Sequence, residues 1–152
     1  VILDGRKLIE ILPLRDLYTT YKNHGRLRVF VHKGRDCVLC DREGVLLLVT
    51  EEKRGFKHVD LYTDDFVLMN VDHIIPKATC KKTAWGRSTM ELLTNKQTMC
   101  KHCNSKKGNK NLNNKQLIER LQPSYPKRTG PEVIRGLVNC EGIFNRKLEG
   151  VI

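Results

Sequence analysis

Aromatic side chains are scarce in this sequence: one Trp, four Tyr and four Phe among 152 residues. Apolar residues still make up 39%, so a core is possible but thin, and a metal staple would help such a chain fold. No run of 18 apolar residues occurs, so no membrane-spanning helix is expected. The opening Val1-Ile2-Leu3-Asp4-Gly5 has neither a basic leader nor a long apolar stretch. No secretory signal is therefore expected, and the compartment is read as cytoplasmic, where thiols stay reduced. The six cysteines are then metal ligands or buried thiols before they are disulfides. The sequence also lacks internal repeats and low-complexity tracts.

Acidic residues are outnumbered, 17 against 28 Lys and Arg, for a formal net charge of +11. The excess is uneven. Residues 1–69 hold 12 basic against 11 acidic side chains, and residues 70–152 hold 16 against 6, which gives +1 and +10. Such a balance favours an anionic partner, nucleic acid first and an anionic membrane surface second.

Periodicity places the elements. Residues 6–22, interrupted by Pro13, fit short helical pieces or a strand followed by a helix. Residues 27–31 are strand-like and closed by Gly34. Three β-favouring runs follow at 45–50, 56–62 and 66–71, with Gly44 and Gly55 at the turns between them. Ile74-Ile75-Pro76 ends the third run, because proline cannot donate to a ladder. Residues 77–94 read as a long loop with Trp85-Gly86-Arg87 near its middle. A helix is expected at 101–107. A second, at 113–121, carries Leu117, Ile118 and Leu121 on one stripe. Pro123 and Pro126 mark a linker, and a last helical piece from Pro131 would bury Ile134, Leu137 and Val138.

Two C-x-x-C pairs stand out, Cys37-Val38-Leu39-Cys40 and Cys100-Lys101-His102-Cys103. Two such knuckles make a closed tetrahedral zinc site. Thiolate-bound zinc also supplies folding energy that a thin core lacks. A redox C-x-x-C would sit in a βαβ pattern, and none is visible. Cys80 and Cys140 lack partners at ligand spacing and are read as idle thiols. His102, inside a knuckle, is either an alternative ligand or an exposed imidazole. His24, His32 and His58 match no motif.

Between and beside the knuckles lie Asp72-His73-Ile74-Ile75-Pro76, then Asn95-Lys96-Gln97-Thr98-Met99-Cys100, then Cys103-Asn104 and Lys107. An Asp-His pair that closes a strand is by itself as compatible with a structural hydrogen bond as with catalysis. With these features in this order, residues 33–110 resemble the HNH endonuclease family of the wider His-Me finger group, in its zinc-bearing form. The interval from Asn95 to Asn104, with a lysine three residues on, is also similar to the HNH domain of CRISPR effector nucleases. The resemblance implies an α+β fold with a ββα-metal core, a structural zinc on Cys37, Cys40, Cys100 and Cys103, flanking short strands and C-terminal helices. It divides the chain into an N-terminal extension (1–32), a nuclease core (33–110) and a basic helical C-terminal segment (111–152).

Hydrolysis of a phosphodiester needs an activated water, a cation on the developing charge, and help for the leaving oxygen. His73 is the expected general base. Asp72 and Asn104 offer oxygen ligands to Mg²⁺ or Mn²⁺. The third motif position, often histidine in the family, is Asn104 here, which favours Mg²⁺ over zinc or nickel. By resemblance Asn95 holds the loop that orients His73. Lys107, one turn beyond Asn104, is either a phosphate or transition-state contact or a solvated lysine. Arg87, Lys77 and Lys106 are candidate nucleic-acid contacts. Neighbouring side chains on a regular strand face opposite ways, so Asp72 and His73 serve one phosphate only if the strand bends or ends there.

The implied activity is metal-dependent DNA cleavage of nicking, homing or restriction type, leaving 5′-phosphate and 3′-hydroxyl ends. The partner would be double-stranded DNA. The chain would act as a monomer or homodimer in a bacterial or phage-infected cell. Thr129-Gly130-Pro131-Glu132-Val133-Ile134-Arg135-Gly136-Leu137-Val138, with Asn145 and then Leu148-Glu149-Gly150, resembles a short part of the phage recombination endonuclease VII family, without its cysteine pairs or the acidic-histidine motif expected upstream, and reads as a helical packing or DNA-contact segment. The competing reading is a non-catalytic, zinc-stabilised nucleic-acid-binding module.

Overall fold

In the computed structural model, which describes residues 1–121, the chain opens with a two-residue hairpin turn. Asp4 (φ 50°) and Gly5 (φ 77°) both occupy the left-handed region, which a type I′ turn demands and Asp-Gly supplies at low cost. The turn folds β1 (Ile2–Leu3) back on β2 (Arg6–Leu12). β2 pairs with β3 (Gly44–Glu51) and β3 with β4 (Lys57–Thr63), completing an antiparallel sheet in the order β1-β2-β3-β4. Of the two readings open for residues 6–22, the strand comes first, and a 3-10 turn at Leu14–Leu17 follows Pro13.

β3 is buried from Gly44 to Thr50, the mark of a strand covered on both faces. On one side Leu47 and Leu61 join Leu17, Leu27, Phe30, Met69, Met99 and the four knuckle cysteines in the main core. On the other, Val45, Leu46, Leu48 and Tyr62 pack with Leu8. A register shift between Gly44 and Leu46 lets Val45 and Leu46 share a side. Gly44 is thus the first residue of a strand rather than a turn. A side chain there would collide with Leu61 and Met69. The scarcity of rings shows directly: Phe30 and Tyr62 are the aromatic members of the buried core among the described residues.

Residues 27–31 are helical, not extended, within α1 (Leu27–Lys33). Leu27 and Phe30 are three residues apart and both buried in the main core. Gly34 (φ 94°) ends the helix with a hydrogen bond from its N–H to Phe30 O. Burial of this one face outweighs the strand preference of Val29, Phe30 and Val31.

A second, two-stranded antiparallel sheet carries the motif residues. β5 (Met69–His73) pairs with β6 (Lys96–Cys100). A tight turn delivers the chain from β4 into β5: Thr63 N donates to Val67 O at 2.8 Å, and Phe66 takes φ 62°. α4 (Lys101–Lys107) follows β6 without a gap, and α5 (Asn114–Leu121) ends the description. The stripe of Leu117, Ile118 and Leu121 lies outside what is described, as do Cys140 and everything from Pro123 onward. Residues 77–94 are not one long loop. They fold into α2 (Lys77–Cys80), α3 (Ala84–Thr89) and the start of a 3-10 turn at Leu93–Asn95. The architecture is α+β. Among the described residues no helix is long and apolar enough to cross a membrane.

α3 is held by a cap and a close approach. Thr83 Oγ1 accepts from Gly86 N at 2.9 Å, an N-cap of the usual kind. Gly86 presses on α2 so tightly that a Cβ would lie 2.8 Å from Cys80 Cα. Gly86→Ala is expected to destabilise the fold by about 1–3 kcal/mol, the usual cost of overpacking. The measurement is urea unfolding, with a lower midpoint and an unchanged slope. An unchanged midpoint would mean that the two helices do not pack as described.

Candidate active site and metal centre

The four knuckle cysteines converge although a long interval separates the pairs. Cys37, Cys40, Cys100 and Cys103 are all buried, and their sulfur atoms lie within 4.8 Å of one another. Local structure aims each pair. Cys37 and Cys40 sit on a short excursion where Asp36 bridges Glu43, Cys37 N donates to Arg42 O at 2.8 Å, and Asp41 turns the chain with φ 60°. Val38 N donates to Thr98 O at 3.1 Å, which docks this knuckle on β6. Cys100 is the last residue of β6 and the N-cap of α4, where its sulfur accepts from Cys103 N at 3.5 Å.

Cys40 Sγ and Cys100 Sγ are 3.7 Å apart, close to the ~3.8 Å edge of a tetrahedron built on Zn–S bonds of about 2.3 Å. The four cysteines could therefore hold a zinc ion. Their acidities point the same way. Hydrogen bonds from the Cys100 and Cys103 thiols lower Cys37 to about 7, and Cys100 is also the largest cause lowering Cys40. Cys103 is pushed well up, first by Cys100. Two thiolates so close hold their neighbours protonated, and only a cation at the centre lets all four ionise.

The β5–β6 register distributes the next residues. Asp72 faces Gln97 across the ladder, and His73 faces Lys96. Asp72 is buried, and its Oδ2 accepts from Gln97 Nε2 at 2.9 Å and from Lys107 Nζ at 2.6 Å. Gln97 is held in turn by Asn114 at the start of α5, through paired amide hydrogen bonds of 3.0 and 2.9 Å. Lys107 is not solvated. It is fully buried, and its ammonium also donates to His73 O at 2.8 Å and Ile74 O at 3.0 Å. An ammonium has three donors, and all three are used. Lys107 therefore fixes Asp72 and the end of β5 to α4.

His73 Nε2 lies 3.2 Å from Glu91 Oε1. Glu91 also meets Lys96 Nζ at 3.1 Å and Lys77 Nζ at 3.7 Å. Lys96 holds the Glu91 carboxyl below the usual carboxylate range. Asn95 closes the frame. Its Oδ1 accepts from Ile75 N at 2.8 Å, its Nδ2 donates to Met90 O at 3.1 Å, and its carbonyl accepts from Ile74 N at 2.8 Å. The chain after His73 is thus tied to the segment that carries Glu91.

Asp72, His73 and Asn104 line one cavity of about 260 Å³, together with Val71, Pro76, Lys77, Gly108 and Asn109. Asp72 and His73 alternate along β5, but the strand ends at His73, and the cavity opens at that end. Lys77 sits on its wall, while Arg87 and Lys106 are exposed outside it. Arg87 Nη1 donates to Lys81 O at 2.9 Å. Cys80 is buried, its thiol 3.5 Å from Ile75 O. Three participants were not singled out from sequence: Glu91, Gln97 and Asn114. Glu91 has a visible signal, being the single acidic residue between Asp72 and Glu119. Gln97 and Asn114 become visible only through the strand register.

Two outcomes follow from these contacts. Purified protein should carry about one zinc per chain, and Cys103→Ser should lose it and unfold at lower urea, since structural zinc contributes on the order of 10 kcal/mol or more to small metal-folded units. Metal analysis beside urea unfolding checks this, and an equally stable metal-free chain would contradict it. Lys107→Met leaves the Asp72 carboxylate buried without its cation, and should cost about 3–5 kcal/mol. A loss below about 1 kcal/mol in urea unfolding would show that the pair is solvated, as exposed pairs are.

Residues 60–116 match the family model described as HNH endonuclease. No curated protein matches the chain, and no solved structure does. The matched segment runs from β4 into α5 and includes every residue of the cavity, Asn95, Lys107 and the second cysteine pair. Residues 60–116 are therefore similar to the HNH endonuclease family, in a chain whose four-cysteine cluster fits zinc.

Proposed function

We propose that this protein is a metal-dependent DNA endonuclease in which β5, β6 and α4 form a ββα-metal core. The observation that carries the proposal is the convergence of Asp72, His73 and Asn104 on one cavity, from a strand end and a helix distant in sequence. The donor set suits the group that the family implies. A carboxylate and an amide oxygen are hard ligands, and Asp72 with Asn104 would hold Mg²⁺ or Mn²⁺ in preference to a soft metal. Both hydrogen bonds to Asp72 end on Oδ2, so Oδ1 is the oxygen assigned to the ion. When bound, such an ion supplies positive charge to the phosphate and to the leaving oxygen.

The chain's own residues do the rest. His73 is the general base. With Nε2–H donated to the ionised Glu91, Nδ1 carries the lone pair that takes a proton from the attacking water. Asn95 fixes the chain that follows His73, and Lys107 fixes the carboxylate beside it. Water attacks in line and the 3′-oxygen leaves, giving 5′-phosphate and 3′-hydroxyl ends. Lys77 at the cavity wall, with Lys106 and Arg87 outside it, contacts the phosphate backbone, so affinity falls steeply with salt. Zinc on the four cysteines is structural. Double-stranded DNA is the proposed substrate, and the chain acts as a monomer or homodimer. A nicking, homing or restriction role in the cytoplasm of a bacterial or phage-infected cell suits it.

A second reading, a zinc-stabilised nucleic-acid-binding module without catalysis, draws on the same contacts. Lys107 and Glu91 already satisfy Asp72 and His73, as a purely structural pair would be satisfied. Supercoiled plasmid incubated with the protein and Mg²⁺ or Mn²⁺ separates the two. The nuclease relaxes or linearises it; the binding module shifts it on a gel and leaves it supercoiled. His73→Ala should lower the cleavage rate by roughly 10²–10⁴-fold, the usual worth of a general base, with DNA affinity unchanged. Equal loss of cleavage and binding would assign His73 to structure.

A further inference from the structure

Trp85 is the single tryptophan of the chain, and it is 66% exposed. Leaving an indole in water forgoes the largest apolar burial any side chain offers, and this core is already short of rings. The exposure does not come from a slack loop. Thr83 caps α3, Ser88 Oγ and Thr89 Oγ1 donate to Trp85 O at 2.7 and 3.0 Å, and the next residue, Gly86, is buried hard against the Cys80 backbone. One face of α3 is thus fixed to the protein while Trp85 stands on the other.

The surroundings select the partner. Residues 77–90 contain Lys77, Lys81, Lys82 and Arg87 and no acidic side chain; Lys81, Lys82 and Arg87 are exposed with Trp85. The platform is also tied to the cavity at both ends. Lys77 lines the cavity wall, and Glu91, just beyond the platform, meets His73. Cations around an exposed aromatic face match a ligand with phosphates and planar bases, because every base has a π-face on which an indole can stack.

We propose that α3 is a substrate platform on which Trp85 stacks against a base unstacked beside the cleaved phosphate, while Lys81, Lys82 and Arg87 hold the flanking phosphates. This inference rests on the nuclease reading and adds how the substrate is gripped. It gives the insertion between β5 and β6 a role in recognising distorted or unpaired DNA near the cut.

Because Trp85 is the chain's one indole, its fluorescence reports the contact directly. The full zinc-bound chain, without Mg²⁺ or Mn²⁺, is titrated with a paired duplex, with the same duplex carrying one unpaired base, and with phosphatidylglycerol vesicles. Anisotropy of labelled DNA measures affinity in parallel. Emission should be quenched by DNA, most strongly by the unpaired base. Trp85→Ala should weaken binding to that duplex by about 5- to 150-fold, the usual worth of one stacked base, and Trp85→Phe should restore part of it. Replacing Lys81 and Lys82 together should reduce the salt slope by about 2. DNA binding with unchanged emission and an unchanged Kd for Trp85→Ala would overturn the inference, as would an emission shift with vesicles but not with DNA. Quenching by DNA without plasmid cleavage would sink the nuclease reading and leave the platform standing. Cleavage with a silent indole would do the reverse.

Discussion

The buried ammonium of Lys107 is the contact on which the rest of the site depends. It joins the last turn of α4 to Asp72 Oδ2 and to two carbonyls at the end of β5. A charge inside protein is costly unless paired and fully hydrogen-bonded, so the pair is stable only in one geometry. That geometry sets where Asp72 points, where β5 ends and how α4 lies against it. Asn104, one turn earlier on α4, is then carried to the same cavity as Asp72 and His73. Lys107 thus sets the placement of the cavity's carboxylate without lining the cavity itself.

The four cysteines act on the same helix from its other end. Cys100 closes β6 and caps α4, and Cys103 lies in the first turn. A zinc ion shared with Cys37 and Cys40 would pin the start of α4 to the knuckle that docks on β6. α4 is only seven residues long, too short to be stable by itself in water. It is positioned by cysteines at its N-terminus and by Lys107 at its C-terminus. A core with few rings also gains from this arrangement, because the cysteines belong to the main cluster with Phe30, Met69 and Met99. The four-cysteine cluster, which could hold zinc, and the proposed catalytic cavity thus lie at two ends of one short helix.

How much of this was legible in sequence depends on the kind of signal. The two C-x-x-C pairs were readable because ligand spacing is local, and their convergence followed from valence. Asp72, His73, Asn95 and Asn104 were readable as a pattern, but their geometry was not. The register that sets Asp72 against Gln97 and His73 against Lys96 requires β6, and Lys96–Cys100 was read only as part of a motif. For Lys107 the sequence leaves a phosphate or transition-state contact and a solvated lysine both open, and its full burial is not legible, since lysine is seldom fully buried and this one depends on Asp72, 35 residues away. Residues 27–31 have strand composition and fold as helix because Leu27 and Phe30 fill the core. Residues 77–94 read as loop in sequence because their helices are one or two turns long and held by a cap, a glycine contact and Asn95 rather than by periodicity. Glu91 was legible as the lone acid in a basic stretch. Asp4-Gly5 carries the dipeptide signal of a tight hairpin turn.

On the proposed mechanism Asp72 and Asn104 hold one hard divalent ion beside the His73 imidazole, separate from a zinc ion on the four cysteines. Anomalous diffraction from crystals soaked in Mn²⁺, recorded at the manganese and zinc edges, tests it most directly. A manganese peak is expected in the cavity, about 2.0–2.4 Å from oxygens of Asp72 and Asn104, and a zinc peak among the four cysteines. Crystals saturated with manganese that show no peak in the cavity, with Asp72 engaged by Lys107 and Gln97 alone, would contradict it.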